Sequence, residues 1–310
     1  MELIAGVDEA GRGALAGPVV SSAVILPEKY NLPELNDSKL LSPKKRDKLF
    51  HKIRNQAIAV GIGMADEKEI DKTNILHATF TSMHRALGQC NQQPDKALID
   101  GIPLPNQIIP NEGIINGDAF VPSIQAASII AKVTRDKLIV DLGIIFPEYG
   151  FFYHKGYGTK KHLEALNEWK ACPIHRKTFA PVKRNLPSIN WYTERRKIGW
   201  VGKKLAALHL WKRNHEIIIL NKNCPPYGEL DIISKTKNTL IFSEVKTAVC
   251  NSLTVPENQI GREKLSRLVK AAHSFLQKNP TKMDIRLDAV LVNLYKGNHD
   301  INRIKGLTLD

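Results

Sequence analysis

Residues 6–13 read GVDEAGRG. An apolar run, Leu3 to Val7, ends in two adjacent carboxylates, Asp8 and Glu9, and the chain then turns through Gly11, Arg12 and Gly13. A carboxylate at the end of a buried strand is costly unless it is paired or binds a cation. Asp8 and Glu9 point to opposite sides of an extended strand, so both serve one pocket only if the strand ends there or lies centrally. The glycines let backbone approach a ligand closely, and Arg12 offers a fork for phosphate.

Two further stretches repeat the pattern of an acid after a short apolar segment: LIDG at 98–101 and NGDA at 116–119. Each alone reads equally as a polar strand-to-turn exit. If the three strand ends converge, Asp8, Glu9, Asp100 and Asp118 share a pocket, and so many carboxylates do not all ionise there without metal. Hard oxygen ligands in that number suit Mg²⁺ or Mn²⁺. A fourth stretch, HKGYGT at 154–159, brings glycines beside Tyr157.

Around these motifs the chain alternates between strand-like and helix-like runs up to about residue 142. Glu2–Val7, Val19–Leu26, Ala57–Gly63, Ala97–Ile99 and Gly113–Ile115 read as strands. Pro43–Ala57 reads as a helix capped by Ser42, and Ser123–Leu142 as a helix with a small-residue face. From Pro181, PVKRNLPSINWYTERRK reads as a linker or the start of a new unit. The pattern then restarts: a helix over Lys203–Lys212, strands at Ile217–Asn221, Glu229–Ser234 and Leu240–Val245, a helix over Glu263–Leu276, and a last strand at Leu287–Leu294. Two domains are expected, 1–188 and 189–310.

The net charge of +14 is uneven. Residues 191–310 carry 21 Lys+Arg against 11 Asp+Glu, a net of +10, and residues 1–190 carry 24 against 20, a net of +4. This distribution suits a polyanionic partner. Cys90, Cys172, Cys224 and Cys250 lack zinc or disulfide spacing and read as reduced core residues. No apolar run reaches 18 residues and no secretory signal is evident, so a cytoplasmic protein is expected.

In order, GVDEAGRG, NDSKLLS at 36–42, LIDG, NGDA, SIQAASIIAKVTRD at 123–136, HKGYGT and HRKTFAPV at 175–182 resemble the ribonuclease HII family, over about residues 2–185. The resemblance implies a ribonuclease H-like fold, a mixed five-stranded sheet flanked by helices. It implies that Asp8, Glu9, Asp100 and Asp118 are metal-binding catalytic acids, with Mn²⁺ or Mg²⁺ as cofactor. It implies that Gly11, Arg12 and Gly13 surround the 2′-hydroxyl of the ribonucleotide and that Tyr157 stacks on the next sugar. The implied activity is cleavage of RNA in RNA/DNA hybrids and nicking of duplex DNA 5′ of embedded ribonucleotides, a step of replication and repair. Two metals about 4 Å apart suit such an in-line displacement by water, leaving a 3′-hydroxyl and a 5′-phosphate. The 2′-hydroxyl is the local mark of RNA against DNA. Lys39 is either a phosphate contact or a solvated lysine, His154 either touches phosphate with Lys155 or is structural, and KKRDK at 44–48 reads as a solvated helix face.

In the second domain Asp231 opens one strand and Glu244-Val245-Lys246 closes the next. A hairpin brings them together, as a metal site or as a cross-strand ion pair. NKNCPPYGELDII, LIFSEVKT and the helix after Gly261 resemble the PD-(D/E)xK nuclease core and the YraN family, over about residues 194–308. The resemblance implies a restriction-endonuclease-like α/β fold with Asp231, Glu244 and Lys246 at its site, and Gln259 as a further candidate. The family's opening glutamate falls on Lys203, within Gly199-Trp200-Val201-Gly202-Lys203, with Glu216 and Glu229 as potential substitutes. The domain is therefore either a DNA-binding module without catalysis or an active branched-DNA endonuclease. A nucleic-acid-binding scaffold with both sites inert is the alternative for the whole chain.

Overall fold

The computed structural model describes residues 2–194, 196–249, 261–295 and 298–308. These fall into two units by their contacts: residues 1–140 with 151–185, and residues 141–150 with 186–310. The first contains strands β1 (Ile4–Ala10) and β2 (Val19–Ile25), helix α1 (Pro43–Gln56), β3 (Ala59–Ala65), α2 (Glu67–Lys72), α3 (Ile75–Gly88), β4 (Lys96–Asp100), β5 (Asn111–Ile114), α4 (Gly117–Phe120) and most of α5 (Pro122–Ile145). Three short helices follow, α6 (Phe151–His154), α7 (Lys160–Trp169) and α8 (Ala180–Lys183). The second holds α9 (Ile189–Glu194), α10 (Ile198–Trp211), β6 (Glu216–Asn223), β7 (Glu229–Lys235), β8 (Thr239–Val249), α11 (Arg262–Lys278), β9 (Asp284–Tyr295) and β10 (Asn298–Lys305).

The first sheet runs β3-β2-β1-β4-β5, with β2 antiparallel to both neighbours and β1, β4 and β5 parallel. Strand β1 is central, with β2 and β4 on its two sides. The sheet buries both faces, as a sheet containing parallel strands does. Ala5, Val7, Ala23, Ile25, Ala97 and Ile99 meet Met83, Ala86 and Leu87 of α3. Val24 on the other face meets Leu49, Phe50 and Ile53 of α1 and Ala126, Ile129 and Ile130 of α5. Two serines inside fully buried β2 are satisfied by the helices: Ser21 Oγ lies 2.5 Å from Ser82 Oγ, and Ser22 donates to the Ala127 carbonyl at 3.0 Å.

The expected start of α1 is the observed one. Ser42 accepts from the Lys45 N–H at 3.3 Å and Pro43 opens the helix. Helices α2 and α3 stand where no helix is expected from the sequence. Their start signals are present, however: Asp66 and Glu69 form a capping box, and Asn74 accepts from the His77 N–H at 3.0 Å. The segment from Pro181 contains α8 and α9 rather than plain linker.

The second sheet runs β10-β9-β8-β7-β6, with β8 and β9 parallel and the other pairs antiparallel. Leu265, Leu268, Ala271 and Ala272 of α11 pack on Leu230, Ile233, Leu240 and Phe242. β9 is not the last strand, contrary to the reading above. β10 pairs with it from Asn298 to Lys305, and its weak period-two alternation covers only a half-buried edge. Cys90, Cys172 and Cys224 are buried and not disulfide-bonded. Cys250 and Gln259 lie outside the described residues. Among the described residues no helix is long and apolar enough to cross a membrane.

Candidate active site and the second acidic centre

Strand β1 continues through Asp8 and Glu9 to Ala10, so the two acids face opposite sides of the sheet. Val7 pairs with Ile99 of parallel β4, and the next step of that register sets Asp8 beside Asp100. Asp118 arrives from the first turn of α4, which begins after Asn116 in the left-handed region at φ 56°. One carboxylate oxygen from each of Asp8, Asp100 and Asp118 lies within 4.8 Å of the other two. Glu9 is not in this trio. Its carboxylate accepts from Arg12 at 3.3 Å, although it still feels Asp100.

The electrostatics suit a site that would hold a cation. Burial, then Glu9 and Asp100, raise the Asp8 carboxyl well above the usual carboxylate range, against a hydrogen bond from Ser128. Burial and then Asp118 raise Asp100, and burial raises Glu9. Such a set is neutralised either by protons or by a divalent cation, and three converging carboxylate oxygens are hard ligands of the kind Mg²⁺ and Mn²⁺ accept. Lys39 supplies the nearest positive charge. Its ammonium donates to Asp118 at 2.9 Å, and that hydrogen bond raises its pKa. It is thus an ion-paired residue, and the loop carrying it is braced by Arg46, which donates to the Ser38 and Leu41 carbonyls at 2.8 and 2.6 Å. Arg46 therefore departs from the solvated face expected for residues 44–48.

The turn at Gly11–Gly13 is held from behind. Gly11 has φ +96°, and a Cβ there would lie 1.9 Å from Arg135 Nε. Arg176 donates to the carbonyls of Gly11 and Arg12, each at 2.7 Å, and to Gly17 at 3.0 Å. Arg135 donates to Pro18, Ala16 and Lys155 carbonyls at 3.0, 3.1 and 3.0 Å. Both arginines are 0% exposed. Burial, followed by the charge of Arg135, brings Arg176 down to about 9. Backbone pairing of Ala14 with Tyr157 joins the turn to the HKGYGT loop, and Arg135 lies 5.4 Å from the Tyr157 ring centre. The Tyr157 carbonyl meets His162 Nδ1 at 2.9 Å, and His162 Nε2 lies 3.0 Å from His175 Nε2. His154 stacks on His162 with ring centres 4.5 Å apart, and its Nδ1 accepts from the Gly156 N–H at 3.3 Å. His154 is thereby placed in the structural role. Sequence reasoning missed Arg135, Arg176, His162 and His175 as supports, although Arg135, His175 and Arg176 stand inside the motifs SIQAASIIAKVTRD and HRKTFAPV.

The family model of ribonuclease HII matches residues 5–182. The chain belongs to the ribonuclease HII family. A ribonuclease HII of Desulfitobacterium hafniense is 55% identical over 186 residues, which are 60% of this chain and 72% of that protein. One of Bacillus cytotoxicus is 53% identical over 180 residues, 58% and 69% of the two chains. Ribonuclease H2 from Pyrococcus horikoshii superposes with a TM-score of 0.51 at 30% identity, over 58% of this chain and 95% of that one. The ribonuclease HII unit is a metal-dependent ribonuclease H. The model of an uncharacterised protein family, UPF0102, matches residues 202–292.

In this UPF0102 domain, Ile232 of β7 pairs with Ser243 of β8, so Asp231 and Glu244 are neighbours across the hairpin. Both are buried. Asp231 Oδ2 accepts from the Val245 N–H at 2.8 Å. Lys264 lies 3.1 Å and Lys246 3.9 Å from Glu244. Lys203 sits 2.7 Å from Asp231 and 2.5 Å from Glu229. Glu216 does not join them. It pairs with Lys235 at 3.0 Å, where β6 begins, and so is no substitute for the absent glutamate.

Proposed function

We propose that the ribonuclease HII unit nicks duplex DNA on the 5′ side of embedded ribonucleotides, as well as cutting the RNA strand of hybrids, with Asp8, Asp100 and Asp118 as ligands of Mg²⁺ or Mn²⁺. The observation carrying this reading is the convergence of the three carboxylates beside a turn clamped by Arg176. When bound, divalent metal supplies a water of lowered pKa and charge neutralisation at the scissile phosphate. The chain's own residues do the rest. Asp8, Asp100 and Asp118 hold the charge in place, and Glu9 completes the acid set from the other face of β1 while orienting Arg12. The Gly11-Arg12-Gly13 backbone, pinned from behind, meets the sugar whose 2′-hydroxyl marks RNA. Tyr157, seated over Arg135, stacks on the following sugar. Lys39, paired with Asp118 here, would be released to contact a substrate phosphate if that carboxylate held metal. We place the division of labour near residues 188 and 189, with the UPF0102 domain holding nucleic acid through its net +10.

The test is incubation of the full chain with duplex DNA carrying one ribonucleotide, in Mg²⁺, Mn²⁺ or EDTA. A metal-dependent nick 5′ of the ribonucleotide, with 3′-hydroxyl and 5′-phosphate ends, is the expected result. Intact binding without a nick in either metal would leave the inert scaffold in its place.

A further inference from the structure

Asp231 and Glu244 are two buried carboxylates side by side, and burial followed by Asp231 raises the Glu244 carboxyl above its usual range. Buried like charges demand a positive partner. The PD-(D/E)xK resemblance implies a divalent cation in that role. The chain itself already fills it. An ammonium has three donors, and Lys203 Nζ meets three oxygens: Asp231 Oδ1 at 2.7 Å, Glu229 Oε1 at 2.5 Å and Asn221 Oδ1 at 2.8 Å. The second oxygen of Asp231 is taken by the Val245 N–H. Glu244 is answered by Lys264 and Lys246. The helix that carries Lys203 lies close on β8, since a Cβ on Gly202 would sit 1.8 Å from Thr247 Oγ1.

We propose that Lys203 is the resident cation of the UPF0102 domain, bridging Asp231 and Glu229 where a divalent metal would otherwise be held, so that this nuclease-like centre takes no metal and cuts no strand. An ammonium supplies charge without a coordinated water, and no group in the bridge takes over activation of the nucleophile. The centre becomes a tie between α10 and the β6–β7 pair. Among the described residues the one metal requirement is then that of the ribonuclease HII unit.

The experiment counts bound Mn²⁺ by electron paramagnetic resonance on the full chain. Asp100→Asn/Asp118→Asn silences the first site, and the wild-type count reports that site separately. The double variant is expected to bind no Mn²⁺ at concentrations that fill the wild type. Adding Lys203→Glu, which leaves Glu229, Asp231 and Glu244 with a fourth carboxylate, is expected to restore about one Mn²⁺ per chain, lost again on Asp231→Asn. Mn²⁺ retained by the double variant and removed by Asp231→Asn would overturn the proposal. So would a folded Lys203→Glu protein that gains no metal. If that variant does not fold, the count on the double variant with and without Asp231→Asn decides alone.

Discussion

Each unit of this chain sets a lysine against an aspartate, and the two contacts differ in every respect except length. Lys39 meets Asp118 at 2.9 Å with its side chain 78% exposed. Lys203 meets Asp231 at 2.7 Å with its side chain 24% exposed and two more oxygens on its ammonium. The first is a loose cation paired with one of three converging carboxylates. The second is a fixed cation in a centre whose acids are all answered. One geometry leaves room for metal and the other removes the need for it.

The strongest way to break this comparison is to weaken the open site. Asp118→Asn is expected to lower cleavage of a hybrid about 1,000-fold, equivalent to about 4 kcal/mol of barrier, while leaving binding of the duplex within about threefold. Measured under single-turnover conditions in Mg²⁺, a near-normal rate would remove Asp118 from the metal site. The corresponding Asp231→Asn change is expected to leave this rate unaltered.

Next in size is the clamp behind the turn. Arg176→Met orphans the carbonyls of Gly11, Arg12 and Gly17. Each unsatisfied buried acceptor costs about 1–3 kcal/mol, offset in part by removal of a buried charge. The expected net loss is about 3 kcal/mol in urea unfolding, with a larger fall in cutting at a single ribonucleotide than in duplex binding. A loss below about 0.5 kcal/mol would mean that solvent replaces the guanidinium.

The histidines behind Tyr157 sharpen the comparison through pH. Burial lowers His162 to about 4 and His175 to about 3, both below the ordinary value near 6.5. The unfolded chain therefore binds protons first. Stability is full above pH ~6.5 and declines as pH falls toward ~4, by up to about 1.4 kcal/mol per pH unit for each histidine. The raised carboxyls of Asp8, Glu9 and Asp100 act in the opposite sense in metal-free protein, since the folded state binds their protons more readily. Urea midpoints at pH 7, 6 and 5 should fall more steeply in the wild type than in His162→Gln/His175→Asn. Equal slopes would refute the assignment of neutral rings.

What could be read from the sequence follows the distance over which each contact acts. The acids of GVDEAGRG, LIDG and NGDA are visible because each follows its own strand, and only their meeting needs the sheet order. The turn itself was legible as GRG, but its clamp was not. Arg135 reaches Pro18 across 117 positions and Arg176 reaches Gly11 across 165. No local rule marks an arginine whose hydrogen bonds all go to backbone carbonyls. Lys203 was visible as a departure from a glutamate, yet its meaning depends on Glu229 and Asn221, which only the β6–β7 pairing brings to it. α3 escaped because its buried face mixes Thr79 and Ser82 with Ala78, Met83 and Ala86, which blurs the apolar period.

The smallest expected effect separates the two lysines most directly. Exposed ion pairs contribute about 0–1 kcal/mol, because solvent screens them and long side chains lose entropy in forming them. Lys39→Met should therefore change stability by less than about 0.5 kcal/mol. It should also raise the apparent affinity for divalent metal, since it removes a cation that competes for Asp118. Lys203→Met removes a half-buried bridge and leaves Asp231 beside Glu244 without its nearest positive charge, a loss of about 1–2 kcal/mol after allowance for its partial exposure. Differential scanning calorimetry with and without Mg²⁺ resolves the pair. The ribonuclease HII unit should be stabilised by metal, by about 2.7 kcal/mol at a hundred times the dissociation constant, and the UPF0102 domain should not respond until Lys203 is changed. If Lys203→Met costs no more than Lys39→Met, the ammonium between Asp231 and Glu229 is only a surface contact, and the contrast between an open and a closed acidic centre fails.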